Sequence, residues 1–136
     1  SIFVGAKTNA VEFNTDFPAA EFKAGRSILS NNLVYGAGAN YGLLNVTSFA
    51  DAQELMAFAG QQGNTTIESV AAAGLTSVDI ANPVLTLKSG SPALGKAKFE
   101  ADLADAFFTK ETFAGAMGTT DWSTGWSSWT PKTNVY

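Results

Sequence analysis

Trp122, Trp126 and Trp129 are the chain's three tryptophans, and they fall within eight residues. Asp121, Ser123, Thr124, Ser127 and Ser128 stand beside and between them. Flat indole faces stack on the C–H faces of sugar rings, while hydroxyl and carboxylate neighbours bond ring hydroxyls. Trp122, Trp126, Trp129 and Asp121 are therefore the candidate carbohydrate-binding residues. The same residues admit a structural reading. Tryptophan has a very large apolar surface, so three together make either a binding face or part of a core.

Little else in the chain points to chemistry. There is no histidine and no cysteine. That removes thiol nucleophiles, Cys/His zinc sites, Ser-His-Asp triads and histidine general bases together. Glycosidase-type chemistry needs two acids converging on one cleft. No spacing among the twelve carboxylates places one opposite another. Glu100, Asp102 and Asp105 are the densest acidic group, but they lack the Asp-x-Asp-x-Asp-Gly loop of a calcium site and read as a solvated face. Gly36-Ala37-Gly38-Ala39-Asn40 has loose glycine spacing without a strand and helix around it, so it reads as a turn. The seven lysines and Arg26 are scattered, mostly beside small or polar residues. A serine activated by lysine within Ser89–Lys98 is chemically conceivable, yet Ser91-Pro92 reads better as a turn. The expectation is a non-enzymatic chain with no cofactor and no metal.

Composition bounds the partners. At 136 residues, 46% of them hydrophobic, the chain suits one domain with a real core. Charged residues make up only 15%, and the net charge is −4. No basic stripe exists to displace counterions from phosphates, so nucleic acid is not an expected partner. The apolar runs are far shorter than the roughly 20 residues that cross a bilayer. The chain opens at Ser1, directly into Ile2-Phe3-Val4, which predicts a fragment or a processed product. Asn45-Val46-Thr47 and Asn64-Thr65-Thr66 match the N-glycosylation sequon, and no modification is assigned to them.

The elements that must position these residues are mostly short strands. Ile2-Phe3-Val4, Val11-Glu12-Phe13, Ala20-Glu21-Phe22-Lys23, Ser27–Ser30, Leu33-Val34-Tyr35 and Leu43–Val46 read as strands broken by glycines. Ser48, three residues before Asp51, is a plausible helix start. Ala52, Leu55, Met56 and Ala59 then follow a helical stripe that Gly60 can end. This predicts one clear helix near 49–59. Thr65-x-x-Glu68 resembles a second capping box and predicts a helix of about two turns, stopped by Gly74. Ser77–Ile80 and Val84–Leu87 read as strands around the Asn82-Pro83 turn. Lys98–Phe108 has helical spacing of Phe99, Leu103, Ala106 and Phe107, and Asn134-Val135-Tyr136 reads as a final strand.

One resemblance organises the C-terminal third. Gly90-Ser91-Pro92-Ala93-Leu94, Phe113-Ala114-Gly115-Ala116 and Asp121-Trp122-Ser123-Thr124-Gly125-Trp126 resemble the ends of secreted and cell-surface right-handed β-helix proteins of Bacteroidota. Met117-Gly118 departs from that pattern, where Phe-Gly or Val-Gly is usual. Ile28–Tyr35 is similar to a rung of such a coil, in which a corner asparagine bonds its equivalent on the next rung or simply serves the turn. The resemblance implies a mainly β fold: terminal coils of a right-handed parallel β-helix, with an inserted helix and an aromatic C-terminal cap. The organisation it implies is one domain or fragment over 1–136, with β-coils at 1–47, a helical insertion at 48–74, and a coil and cap at 75–136. Trp122, Trp126 and Trp129 would then seal the open end of the coil.

It further implies a structural or adhesive module on the outer surface of a Gram-negative bacterium, or outside the cell. Partners would be the upstream β-helix of the same precursor, an outer-membrane protein complex, or a glycan. Two alternatives accompany this. One is a carbohydrate-binding or polysaccharide-processing module using the tryptophan cluster, because β-helices host pectin- and alginate-type lyases; those use Lys, Arg, His and acidic residues along one sheet, and this chain has Arg26 as its single arginine and no histidine. The other is a self-assembling filament subunit with open strand edges.

Overall fold

Residues 1–133 are described by the computed structural model. Two successive strand–strand–helix units open the chain. The first is β1 (Ile2–Ala6), β2 (Asn9–Phe13) and α1 (Asp16–Lys23); the second is β3 (Leu33–Gly36), β4 (Ala39–Leu43) and α2 (Ala52–Gln61). β5 (Thr65–Thr66) follows, then the pair β6 (Leu75–Ser77) and β7 (Val84–Leu87). The units stack in parallel register. Ile2 pairs with Leu33 and Leu33 with Thr65, giving a sheet of order β1-β3-β5, while Asn9 to Phe13 pair with Ala39 to Leu43 in a second sheet. β6 and β7 form a third sheet and are antiparallel.

This corrects the expected fold. Among the described residues, the strands do not form the terminal coils of a right-handed parallel β-helix. They form three small sheets, parallel and antiparallel, with two helices rather than one inserted helix. The physical cause is local. Each of the first two units spends its last segment on a helix, β5 is only two residues long, and the chain then turns back on itself at β6–β7.

The helix that period-two reading missed is α1. Ala20–Lys23 looks alternating, yet Ala19 and Phe22, three apart, are the buried pair and Pro18 sits in the first turn, where its missing N–H costs nothing. α2 follows its expected stripe, with Leu55 and Ala59 buried, but its cap is Asp51 rather than Ser48. Asp51 Oδ1 accepts from the N–H groups of Gln53 and Glu54, both at 2.9 Å. Ser48 instead donates its hydroxyl to Asp16 Oδ1 at 2.8 Å. Ser27–Ser30 forms no strand. The two-turn helix expected from Thr65 onward is also absent. Thr65 N–H donates to Asn32 O (2.8 Å) and Ile67 N–H to Val34 O (3.1 Å), so β-branched residues complete a sheet instead. What remains of that helix is a 3₁₀ turn at Ala71–Ala73, stopped by Gly74 at φ 69°. Lys98–Phe108 holds only a 3₁₀ turn, Ala101–Ala104, and the expected strand at 134–136 lies outside the described residues.

Alternation along β3 builds two cores. Val34 points into one with Ala19, Phe22, Tyr41, Phe49, Leu55 and Ala59. Phe22 is its hub, 5.6 Å from the Phe13 ring and 5.1 Å edge-on from Phe58. Burying a side chain of this kind contributes roughly 1.5–3 kcal/mol. Leu33 points into the other, with Leu87, Ala93 and Ala114. That second core fastens the C-terminal third to the sheet. No described helix is long and apolar enough to cross a membrane.

A buried asparagine pair joins the units. Asn32 Nδ2 donates to Asn64 Oδ1 (2.7 Å), Asn64 Nδ2 donates to the carbonyls of Leu29 (2.7 Å) and Ala59 (2.9 Å), and the Ser1 amino group donates to Asn32 Oδ1 (2.8 Å). Asn32 and Asn64 immediately precede β3 and β5, so their bond links the starts of two paired strands.

Candidate functional site

The C-terminal motifs act first as a scaffold. Ser91 is buried, and its hydroxyl donates to Ala73 O (2.7 Å) while accepting from Ala93 N–H (3.2 Å). Gly74 allows this approach, because a Cβ there would lie 2.7 Å from Ser91 Cβ. Ala114 N–H donates to Ala93 O (2.9 Å), and Leu87 N–H donates to Gly118 O (2.8 Å). Ala93, Ala114 and Met117 are all buried. These small residues, with one methionine, are the buried apolar residues of the described C-terminal segment.

The tryptophans are therefore outside. Trp122 is 55% exposed, Trp126 69% and Trp129 49%, so the expectation that they seal a core is corrected. Trp122 and Trp126 stack on each other, with ring centroids 5.4 Å apart and planes 25° from parallel. Both indole N–H groups are used: Trp122 Nε1 donates to Ala116 O (2.7 Å) and Trp126 Nε1 to Trp122 O (2.8 Å). A stacked, hydrogen-bonded indole has lost most of its rotamer freedom before any ligand arrives.

Asp121 organises the turn beneath them. Its Oδ1 accepts from Ser123 N–H (2.8 Å) and Ser123 hydroxyl (2.6 Å). These bonds, the hydroxyl first, hold its carboxyl below the usual carboxylate range. Ser123 O in turn accepts from Trp126 N–H (3.3 Å) and Ser127 N–H (3.1 Å). The structure thus brings Asp121, Trp122 and Trp126 together and leaves Trp129 outside the ring stack. Asp121 has a positioning role here rather than an open ligand-binding one.

Sequence reasoning missed the groove beside the stack. It has a volume of about 430 Å³. Trp122 and Phe113 line it with apolar surface, and Glu111, Thr112, Thr119 and Thr120 with polar groups. Gly118 lies against the Phe113 ring, where a Cβ would come within 2.8 Å of Cε1. The density of Thr and Glu around the Phe113–Gly118 motif was the available signal. Elsewhere, Glu100, Asp102 and Asp105 lie exposed around the 3₁₀ turn, and no described group of three His, Cys, Asp or Glu residues converges as a metal site.

No protein-family model, curated protein or solved structure matches this chain.

Proposed function

We propose that this chain is a non-catalytic carbohydrate-binding module with an adhesive role. The observation that carries the reading is the exposed, pre-positioned Trp122–Trp126 stack beside a groove lined by Trp122, three threonines and Glu111. A sugar ring laid on the free face of an indole covers apolar area on both partners, while the threonine hydroxyls donate to and accept from its hydroxyls. Fixing both indoles through their N–H groups lowers the ordering cost of binding.

Binding rather than turnover is favoured by the acids. Glu111 is the one carboxylate among the described groove-lining residues, and Asp121 is engaged with Ser123. Hydrolysis through two carboxylates needs a facing pair. The C-terminal motifs, which resemble those of Bacteroidota surface proteins, support placing the module outside the cell or on the outer membrane of a Gram-negative bacterium, where glycans are available.

A glycan array probed with the folded chain and with Trp122→Ala tests this. The chain is expected to bind one class of glycan, and the substitution to weaken binding at least tenfold, which corresponds to about 1.4 kcal/mol. Absence of any glycan ligand, or binding indifferent to Trp122, would refute it.

A further inference from the structure

The groove's charge narrows the class of sugar. Its polar lining is Glu111 with Thr112, Thr119 and Thr120, and no lysine or arginine lines it. Glu111 makes no hydrogen bond or ion pair to any described residue. The neighbouring cation, Lys110, directs its ammonium to Ala104 O at 2.7 Å and is not part of the lining. The chain as a whole carries −4.

A uronate-bearing polysaccharide brings a carboxylate on each acidic ring. Recognition of that group calls for an Arg fork or a Lys point charge to replace its hydration. Here it would meet the Glu111 carboxylate and a like-signed protein field instead. A neutral ring brings only hydroxyls, which threonine hydroxyls and a carboxylate can bond in full.

We infer that the Trp122 groove selects neutral glycans and rejects polyanionic ones, with Glu111 as the residue that sets the discrimination. This rests on the carbohydrate-binding reading and would separate the chain from pectin- and alginate-type recognition.

Affinity electrophoresis tests it, with soluble neutral β-glucan and galactomannan on one side, and polygalacturonate and alginate on the other. Retardation by at least one neutral polymer is expected, lost in Trp122→Ala, with retardation by either polyanion much weaker and measured only at high polymer concentration. Glu111→Gln is expected to raise affinity for the polyanions relative to the neutral polymer by about fivefold or more, the scale of one like-charge contact near a protein surface. Glu111 is exposed, so the variant is expected to fold.

A second measurement needs no variant. Raising salt from about 0.1 M to 1 M shortens screening from about 10 Å to 3 Å. It should leave neutral binding unchanged and relieve the rejection of polyanions. Trp122-dependent binding of a polyanion by the unaltered chain, weakened by salt, would overturn the inference while leaving a carbohydrate module standing. An unchanged ratio in Glu111→Gln would remove Glu111 from its role. Failure to bind all four polymers and every array glycan would instead overturn the carbohydrate reading itself.

Discussion

Asp16 ties the two strand–strand–helix units together through a single oxygen. Its Oδ1 accepts from Thr47 N–H (2.7 Å), Ser48 N–H (2.6 Å) and Ser48 hydroxyl (2.8 Å). The Thr47 N–H first, then Ser48, bring its carboxyl down from 3.8 to about 2. A carboxyl depressed by folding stabilises the folded chain above its unfolded value, and that contribution is lost as pH falls through the folded value. Melting temperature should therefore drop between pH 3.8 and about 2, and the drop should be shallower in Asp16→Asn. Thermal melts followed by circular dichroism across that window decide it; parallel curves would exclude Asp16. Tyr41 is the opposite case. Its hydroxyl is buried without a partner among the described residues, and burial raises its pKa to about 12. Tyr41→Phe removes an unpaired polar group and keeps the ring, so it is expected to stabilise by about 1 kcal/mol. Urea denaturation measures this, and a loss of stability would show that the hydroxyl has a partner.

The asparagine pair links one unit to the next beside the strand pairing. Asn64→Ala would strand the Asn32 side-chain amide and the Leu29 carbonyl, each costing on the order of 1–3 kcal/mol, while the Ala59 carbonyl keeps the N–H groups of Gln62 and residue 64. The midpoint of urea unfolding should fall accordingly; a change within error would mean the units are held by the strands and apolar core alone. At this scale the sequence was legible where periodicity was long. The 3.6 stripe of Ala52, Leu55, Met56 and Ala59 located α2, and apolar runs located β1, β2, β3 and β7. It was illegible where a segment was short enough to fit both periods. Ala20–Lys23 alternates as a strand and also continues the Ala19–Phe22 spacing of a helix, and only packing against Phe13 and Phe58 settles which. Thr65-x-x-Glu68 carries a helix start locally, but the edge of β3 offers backbone partners that a two-turn helix cannot match. The β-helix expectation failed for a related reason. Parallel pairing of equivalent segments is present, yet helices and an antiparallel pair interrupt it before long sheets accumulate.

For the whole molecule, the two cores divide the work. One packs both helices, and the other holds the C-terminal motifs against the β1-β3-β5 sheet so that the indoles face outward. The candidate residues Asp121, Trp122 and Trp126 were readable as a cluster from spacing alone. Their exposure was not, because the indoles suit both a core and a binding face. In the folded chain the buried apolar residues of the described C-terminal segment are Ala93, Ala114 and Met117, and the indoles lie outside them. All three tryptophans sit in this one segment, so quenching of their fluorescence by acrylamide, with and without a soluble neutral oligosaccharide, reports on the site directly. The free chain should be readily quenched, and saturating sugar should protect it in a dose-dependent way that Trp122→Ala loses. Indoles already shielded in the free chain, or quenching that no sugar alters, would contradict an exposed sugar-stacking face.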